Sequence, residues 1–197
     1  MEIDAPRLRS FKYTGLPRRF SLVSPAAERA DLHFLHDDGP HHYRDTTSVL
    51  RARFWRFLHN FRGVKSLKLK VTYLKEIAVA GNGNGILLPP LHGVERLDLA
   101  ALHDPASETS TVAIANLLRC CPNLRDLVLR LSTFRNDERS WLGVALIKFF
   151  AENAICLEEM RIDGGNERMR DHINRRVERW IVESGMRCFR VLPLERR

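Results

Sequence analysis

A chain of 197 residues, 44% of them apolar, is long enough for one domain with a sizeable core, and its composition argues against wholesale disorder. No apolar run approaches the ~20 residues of a membrane span, and the N-terminus lacks the basic-then-apolar layout of a secretory leader. The expectation is a soluble intracellular protein, in cytoplasm or nucleus. The net charge of +8 is unevenly placed: Arg44 to Lys75 holds nine Lys/Arg residues and one acid, Asp45, so the remainder is about neutral.

Taken in chain order, the first element is Leu8-Arg-Ser-Phe11-Lys-Tyr13, an apolar alternation that reads as a strand. Arg29-Ala-Asp-Leu32-His-Phe34 repeats its apolar pair, too close behind for a long helix between. A helix follows, with Asp45, Thr46 or Thr47 as N-cap and Leu50, Phe54, Phe57, Leu58 and Phe61 on one face. Gly63 ends it, and Val64-Lys-Ser-Leu67-Lys-Leu69 begins at once. Residues Ile77 to Pro90 read as an irregular insertion that turns at Gly81-Asn-Gly-Asn-Gly85 and returns to the core at Leu87-Leu88. Val94-Glu-Arg-Leu97-Asp-Leu99 is the next strand. The helix from Thr109 to Cys121 places Ala113, Leu117 and Cys121 on a stripe and stops at Pro122. Leu124-Arg-Asp-Leu127-Val-Leu129 follows. A third helix spans about Asp137 to Asn153, with Trp141, Leu142, Ala145, Leu146 and Phe149 inward. After Leu157-Glu-Glu-Met160-Arg-Ile162, a fourth helix follows Gly164-Gly165, turns Met169, Ile173, Val177, Trp180 and Ile181 inward and stops at Gly185. Phe189-Arg-Val191-Leu192-Pro-Leu194 closes the series.

The central residues Leu67, Leu97, Leu127 and Met160 are spaced by 30, 30 and 33 positions. The phrase L-x-x-L-x-L at such a period is the strand portion of a leucine-rich repeat, a unit that cannot bury its own apolar face and must stack on its neighbours. The expected fold is α/β: one leucine-rich-repeat solenoid over residues 1–197, with weaker, irregular repeats in 1–44 and regular β-α repeats in 45–197. Right-handed crossovers would give a superhelix with about seven parallel strands on the concave side and helices on the convex side.

Four pieces of the chain resemble the leucine-rich-repeat region of plant F-box proteins, especially the large family in grasses. They are Asp4-Ala-Pro-Arg-Leu-Arg-Ser-Phe-Lys-Tyr13, the run Phe54-Trp-Arg-Phe-Leu-His-Asn-Phe61 leading into Val64, the junction Ala115-Asn-Leu-Leu-Arg-Cys-Cys-Pro-Asn-Leu124, and Ser140-Trp-Leu142. The resemblance implies a substrate-binding module of a cullin-type ubiquitin ligase, in which an N-terminal F-box docks a Skp adaptor. That F-box opens with a Leu-Pro-containing helical segment. The earliest such pair here, Leu16-Pro17, lies behind the first phrase, so the expectation is a repeat module without its F-box. No residue here inherits adaptor binding. The first phrase also starts with no capping helix ahead of it, which a solenoid end ordinarily needs.

Strand alternation turns Leu67 and Leu69 inward and leaves Ser66, Lys68 and Lys70 outward. The equivalent outward sets are Arg96, Asp98 and Ala100; Asp126, Val128 and Arg130; and Glu159, Arg161 and Asp163. With strands ~4.8 Å apart, Lys68 is expected to face Asp98 and Arg96 to face Asp126. Apart from Ala100, these residues are the candidate partner-binding set, for a protein substrate whose identity the sequence does not name.

Other chemistries find little support. Arg51, Arg53, Arg56 and Arg62 flank a helix stripe whereas Lys68 and Lys70 lie on a strand, so the basic stretch is split over two surfaces. A solvated face or an acidic protein partner is favoured over nucleic acid, and a basic nucleic-acid scaffold or a truncated product without independent function are the alternatives. His33, His36, His41 and His42, with Asp37 and Asp38, sit around Gly39-Pro40 and read as loop residues rather than metal ligands. Gly81 to Gly85 lacks the Lys-Ser/Thr of a phosphate loop. Cys120, Cys121, Cys156 and Cys188 contain no C-x-x-C pair and read as buried thiols. No catalytic residue, cofactor or metal is expected.

Overall fold

Each recurrence of the apolar phrase forms a strand, and the strands meet in chain order. The computed structural model describes residues 2–23, 26–35, 46–79, 86–103, 109–133, 159–163 and 190–193. The strands are β1 (Glu2–Asp4), β2 (Ser10–Gly15), β3 (Ser21–Val23), β4 (Arg29–Phe34), β5 (Ser66–Tyr73), β6 (Arg96–His103), β7 (Asp126–Thr133), β8 (Glu159–Asp163) and β9 (Arg190–Pro193). Two α-helices, α1 (Thr46–Leu58) and α2 (Thr109–Cys120), complete the regular elements among the described residues, together with short 3₁₀ turns at His59–Phe61 and Leu74–Glu76. The architecture is α/β. Its main sheet has seven parallel strands in the order β2-β4-β5-β6-β7-β8-β9.

Register carries the sequence period into space. Leu67 pairs with Leu97, Leu97 with Leu127, Leu127 with Met160 and Met160 with Val191. Leu69, Leu99 and Leu129 form the next row on the same face, and all three are buried. A parallel sheet can hold this register only if the chain re-enters at the same height each time. Three matching turns see to that: Val64 N–H donates to Phe61 O, Val94 N–H to Leu91 O and Leu124 N–H to Cys121 O, at 3.1, 3.1 and 3.2 Å. Directly after each turn, Lys65 N–H bonds Glu28 O, Glu95 N–H bonds Lys65 O and Arg125 N–H bonds Glu95 O at 2.8–2.9 Å. The turns themselves stack. Gly93 N–H donates to Arg62 O at 2.9 Å, and a Cβ on Gly93 would lie 2.7 Å from the Gly63 carbonyl carbon, so only glycine allows this approach.

The core lies against the leucine face of the sheet. Aromatic rings fill its N-terminal part: Phe57 sits 4.8 Å from Tyr13, 5.1 Å from Phe34 and 4.7 Å from Phe20, and Phe61 sits 5.2 Å from Phe11. Phe54, Phe57, Leu58 and Phe61 are buried as the helical spacing predicts, while Leu50 is only half-buried. Trp55, off that stripe, is buried as well, because Leu74–Val79 covers a second side of α1. Trp55 Nε1–H donates to Ile77 O at 3.0 Å, and Arg51 reaches Glu76 O and Lys75 O at 3.4 Å. The same segment meets α2, where buried Asn116 donates to Val79 O at 3.0 Å.

Two sequence expectations change. Leu87 does not return to the core: it is 88% exposed, while Leu88 packs partly against the core and Pro89 is buried. The segment ahead of β4 also contains more structure than one phrase. β1 and β3 pair parallel as a separate two-stranded sheet. Asn60 fastens β3 to the end of α1, its Oδ1 accepting from Leu22 N–H at 3.2 Å and its Nδ2 donating to Phe20 O and Phe57 O at 3.3 and 3.0 Å. The insertion tip Gly81–Gly85 and the third and fourth predicted helices lie outside the described residues.

Candidate functional site: the exposed face of the main sheet

Alternation along each strand leaves one face of the sheet polar, and the register sorts that face into rows. The first row runs Ser10, Arg29, Ser66, Arg96, Asp126, Glu159, Arg190. The second runs Lys12, Asp31, Lys68, Asp98, Val128, Arg161, Leu192, so charge alternates over its first four positions. A third runs Thr14, His33, Lys70, Ala100, Arg130, Asp163. Parallel pairing brings the candidate residues together as neighbours. Lys68, Lys70 and Arg96 are exposed, whereas Ser66, Asp98, Asp126, Val128 and Arg130 are half-buried. Glu159, Arg161 and Asp163 take their places by register on β8.

Arg96 and Asp126 meet as the spacing predicts: Nε and Nη2 of Arg96 lie 2.9 and 2.7 Å from Asp126 Oδ2. The pairing expected for Asp98 changes. Lys68 is opposite Asp98 in register, but Arg130 Nη1 on β7 holds the Asp98 carboxylate. Arg130 lies diagonally, two residues beyond Asp98's direct partner Val128, and a long guanidinium spans that diagonal. Asp98 is thereby engaged from β7, and its neighbour Lys68 presents its ammonium to solvent. Such solvent-accessible pairs contribute only about 0–1 kcal/mol each, so they add little to the stability of the sheet.

Lys12, Arg29, Asp31 and His33 belong to the same rows and were not among the candidates from sequence. The weaker phrases before residue 35 carry the same period-2 signal. His33 has its pKa lowered, first by desolvation and then by Lys70 across the strand, with Asp31 acting in the opposite sense.

Among the described residues the cysteines are not poised for reaction. Cys120 and Cys121 are buried free thiols; burial pushes Cys120 up to about 12, and burial together with Cys120 raises Cys121 further, so neither is a thiolate near neutrality. His36, His41, His42, Asp37 and Asp38 lie outside the described residues, as do Cys156 and Cys188. Among the described residues no group of three or more His, Cys, Asp or Glu side chains is placed to hold a metal ion, and no helix is long and apolar enough to cross a membrane. Compared with known proteins, the chain matches no family model, no curated protein and no solved structure.

Proposed function

We propose that the chain is a non-catalytic leucine-rich-repeat solenoid that recognises a protein partner through the exposed face of its main sheet. The observation that carries this reading is the row Lys12, Asp31, Lys68, Asp98, continued in register to Arg161. It presents a fixed pattern of charge at strand spacing, suited to a partner of complementary pattern. Strands in sequence order, with the apolar phrase aligned over a 30-residue period, support a stacked-repeat architecture. The resemblance to the repeat region of plant F-box proteins narrows the partner to a ubiquitin-ligase substrate, with any Skp adaptor held through an F-box rather than through the residues described.

The test is crosslinked affinity capture of the protein expressed from its native locus, compared with Lys68→Glu/Arg161→Glu. A partner recovered with the wild type and lost with the variant is the expected result. Equal recovery with both overturns the sheet-face reading. Absence of a Skp-type adaptor from those complexes removes the ligase assignment and leaves partner recognition standing. Binding to RNA or DNA that falls steeply with salt identifies the nucleic-acid scaffold instead.

A further inference from the structure

The sheet face does not use the four arginines gathered on the helix side. Arg18 and Arg19, between β2 and β3, and Arg53 and Arg56, one helical turn apart on α1, line a single hollow of about 320 Å³. Phe20, Ser21 and Phe57 complete its lining. Among the described residues no carboxylate lines it. None is near in sequence either, because residues 5–27 and 46–75 contain no Asp or Glu.

The two walls are held in place. Asn60 ties Phe20 and Leu22 to the end of α1, and the Phe20 ring lies edge-on to Phe57 at 4.7 Å and stacked with Phe11 at 5.9 Å. The backbone carrying Arg18 and Arg19 is therefore anchored beside α1. By contrast, the neighbouring Arg51 is turned away and spent on the carbonyls of Glu76 and Lys75.

We infer that this hollow is a binding site for a phosphate monoester. Four guanidinium groups with no carboxylate among the described lining residues repel one another, and a compact dianion relieves that repulsion. A phosphate monoester brings about −1.5 to −2 in one group and accepts several forked N–H donors at once. A phosphodiester brings only about −1 per phosphate, so a nucleic acid places less charge on each guanidinium fork than a monoester does. The Phe57 ring also offers no stacking platform, since it is buried and engaged edge-on by Phe20. The site is independent of the partner face proposed above.

The experiment uses the whole chain and four probes read by fluorescence or competition: a fluorescein-labelled phosphoserine peptide, its unphosphorylated twin, glycerol phosphate and a short single-stranded oligonucleotide. The phosphopeptide or glycerol phosphate should bind, and the unphosphorylated peptide should not; whichever monoester binds more tightly identifies a protein or a small-molecule source. Arg53→Gln/Arg56→Gln and Arg18→Gln/Arg19→Gln should each weaken binding by about tenfold or more, while Lys68→Glu leaves it unchanged. All four arginines are exposed, and circular dichroism confirms that each variant stays folded. Equal affinity for the unphosphorylated peptide, a loss confined to one arginine pair or to neither, or tighter binding of the oligonucleotide overturns the proposal.

Discussion

On the polar face of the main sheet, Arg96 lies against Asp126 and Arg130 against Asp98, whereas on the helix side Arg18, Arg19, Arg53 and Arg56 share a hollow with no carboxylate among its described lining residues. The same residue type is neutralised in one region and left charged in the other. Strand pairing explains the first case, because register gives every side chain close neighbours on both sides and rewards opposite signs. The second case follows from the aromatic cluster. Phe20 and Phe57 fill the space between loop and helix, and Arg18, Arg19, Arg53 and Arg56 line the same hollow as exposed residues. Local net charge therefore misleads as a guide to binding. What matters is whether the fold supplies the counter-charge.

The largest way to break this contrast is Phe57→Ala. It removes a ring that touches Tyr13, Phe20, Phe34 and Phe61, and should cost about 3–5 kcal/mol in denaturant unfolding. Asn60→Ala should cost about 1–3 kcal/mol, since the Leu22 N–H and the Phe20 and Phe57 carbonyls lose a partner, and it should also weaken monoester binding by freeing the Arg18–Arg19 wall. On the sheet, a double-mutant cycle of Arg96→Ala and Asp126→Ala should give a coupling of about 0.2–1 kcal/mol that shrinks in high salt. A coupling several times larger and insensitive to salt would make the face a structural element rather than a solvated recognition surface.

The smallest effect is a pH dependence through His33. Its lowered pKa means that the folded state disfavours the imidazolium, mainly through desolvation and secondarily through Lys70. Above the usual 6.5 both states hold the neutral ring, and stability is unaffected by this group. As pH falls through 6.5 the unfolded chain takes up the proton first, so stability declines until the lower folded value is passed. Thermal midpoints compared at about pH 7.5 and pH 5.5 should drop more in the wild type than in His33→Gln, and less in Lys70→Ala than in the wild type.

The sheet was legible in the sequence because its two governing periods are written there: alternation over two residues, and the phrase over 30. Leu67, Leu97 and Leu127 repeat both, and they align as those periods require. The exposed candidates on β5 to β7 follow from the same alternation. Contacts without a period were not legible. Arg130 takes Asp98 along a diagonal that depends on rotamer and reach, not on register. Trp55 is buried by the segment Leu74–Val79, which has no recurrent pattern. The arginine hollow joins residues 18–21 to residues 53–57, and nothing local in either stretch announces the other. Leu87 shows the converse error: it is apolar, yet in a segment without a period its hydrophobicity does not imply burial.

The stacked turns at Arg62–Gly63 and His92–Gly93 have a consequence for how such a molecule can change over evolutionary time. Height and register are held by backbone amides, by glycine against glycine, and by the leucines beneath the sheet. None of those groups is on the polar face. The outward residues of β5, β6 and β7 can therefore be rewritten one at a time, by selection or by an engineer, without disturbing the frame that aligns them. Surface pattern and foldability are stored in separate letters of the same strand.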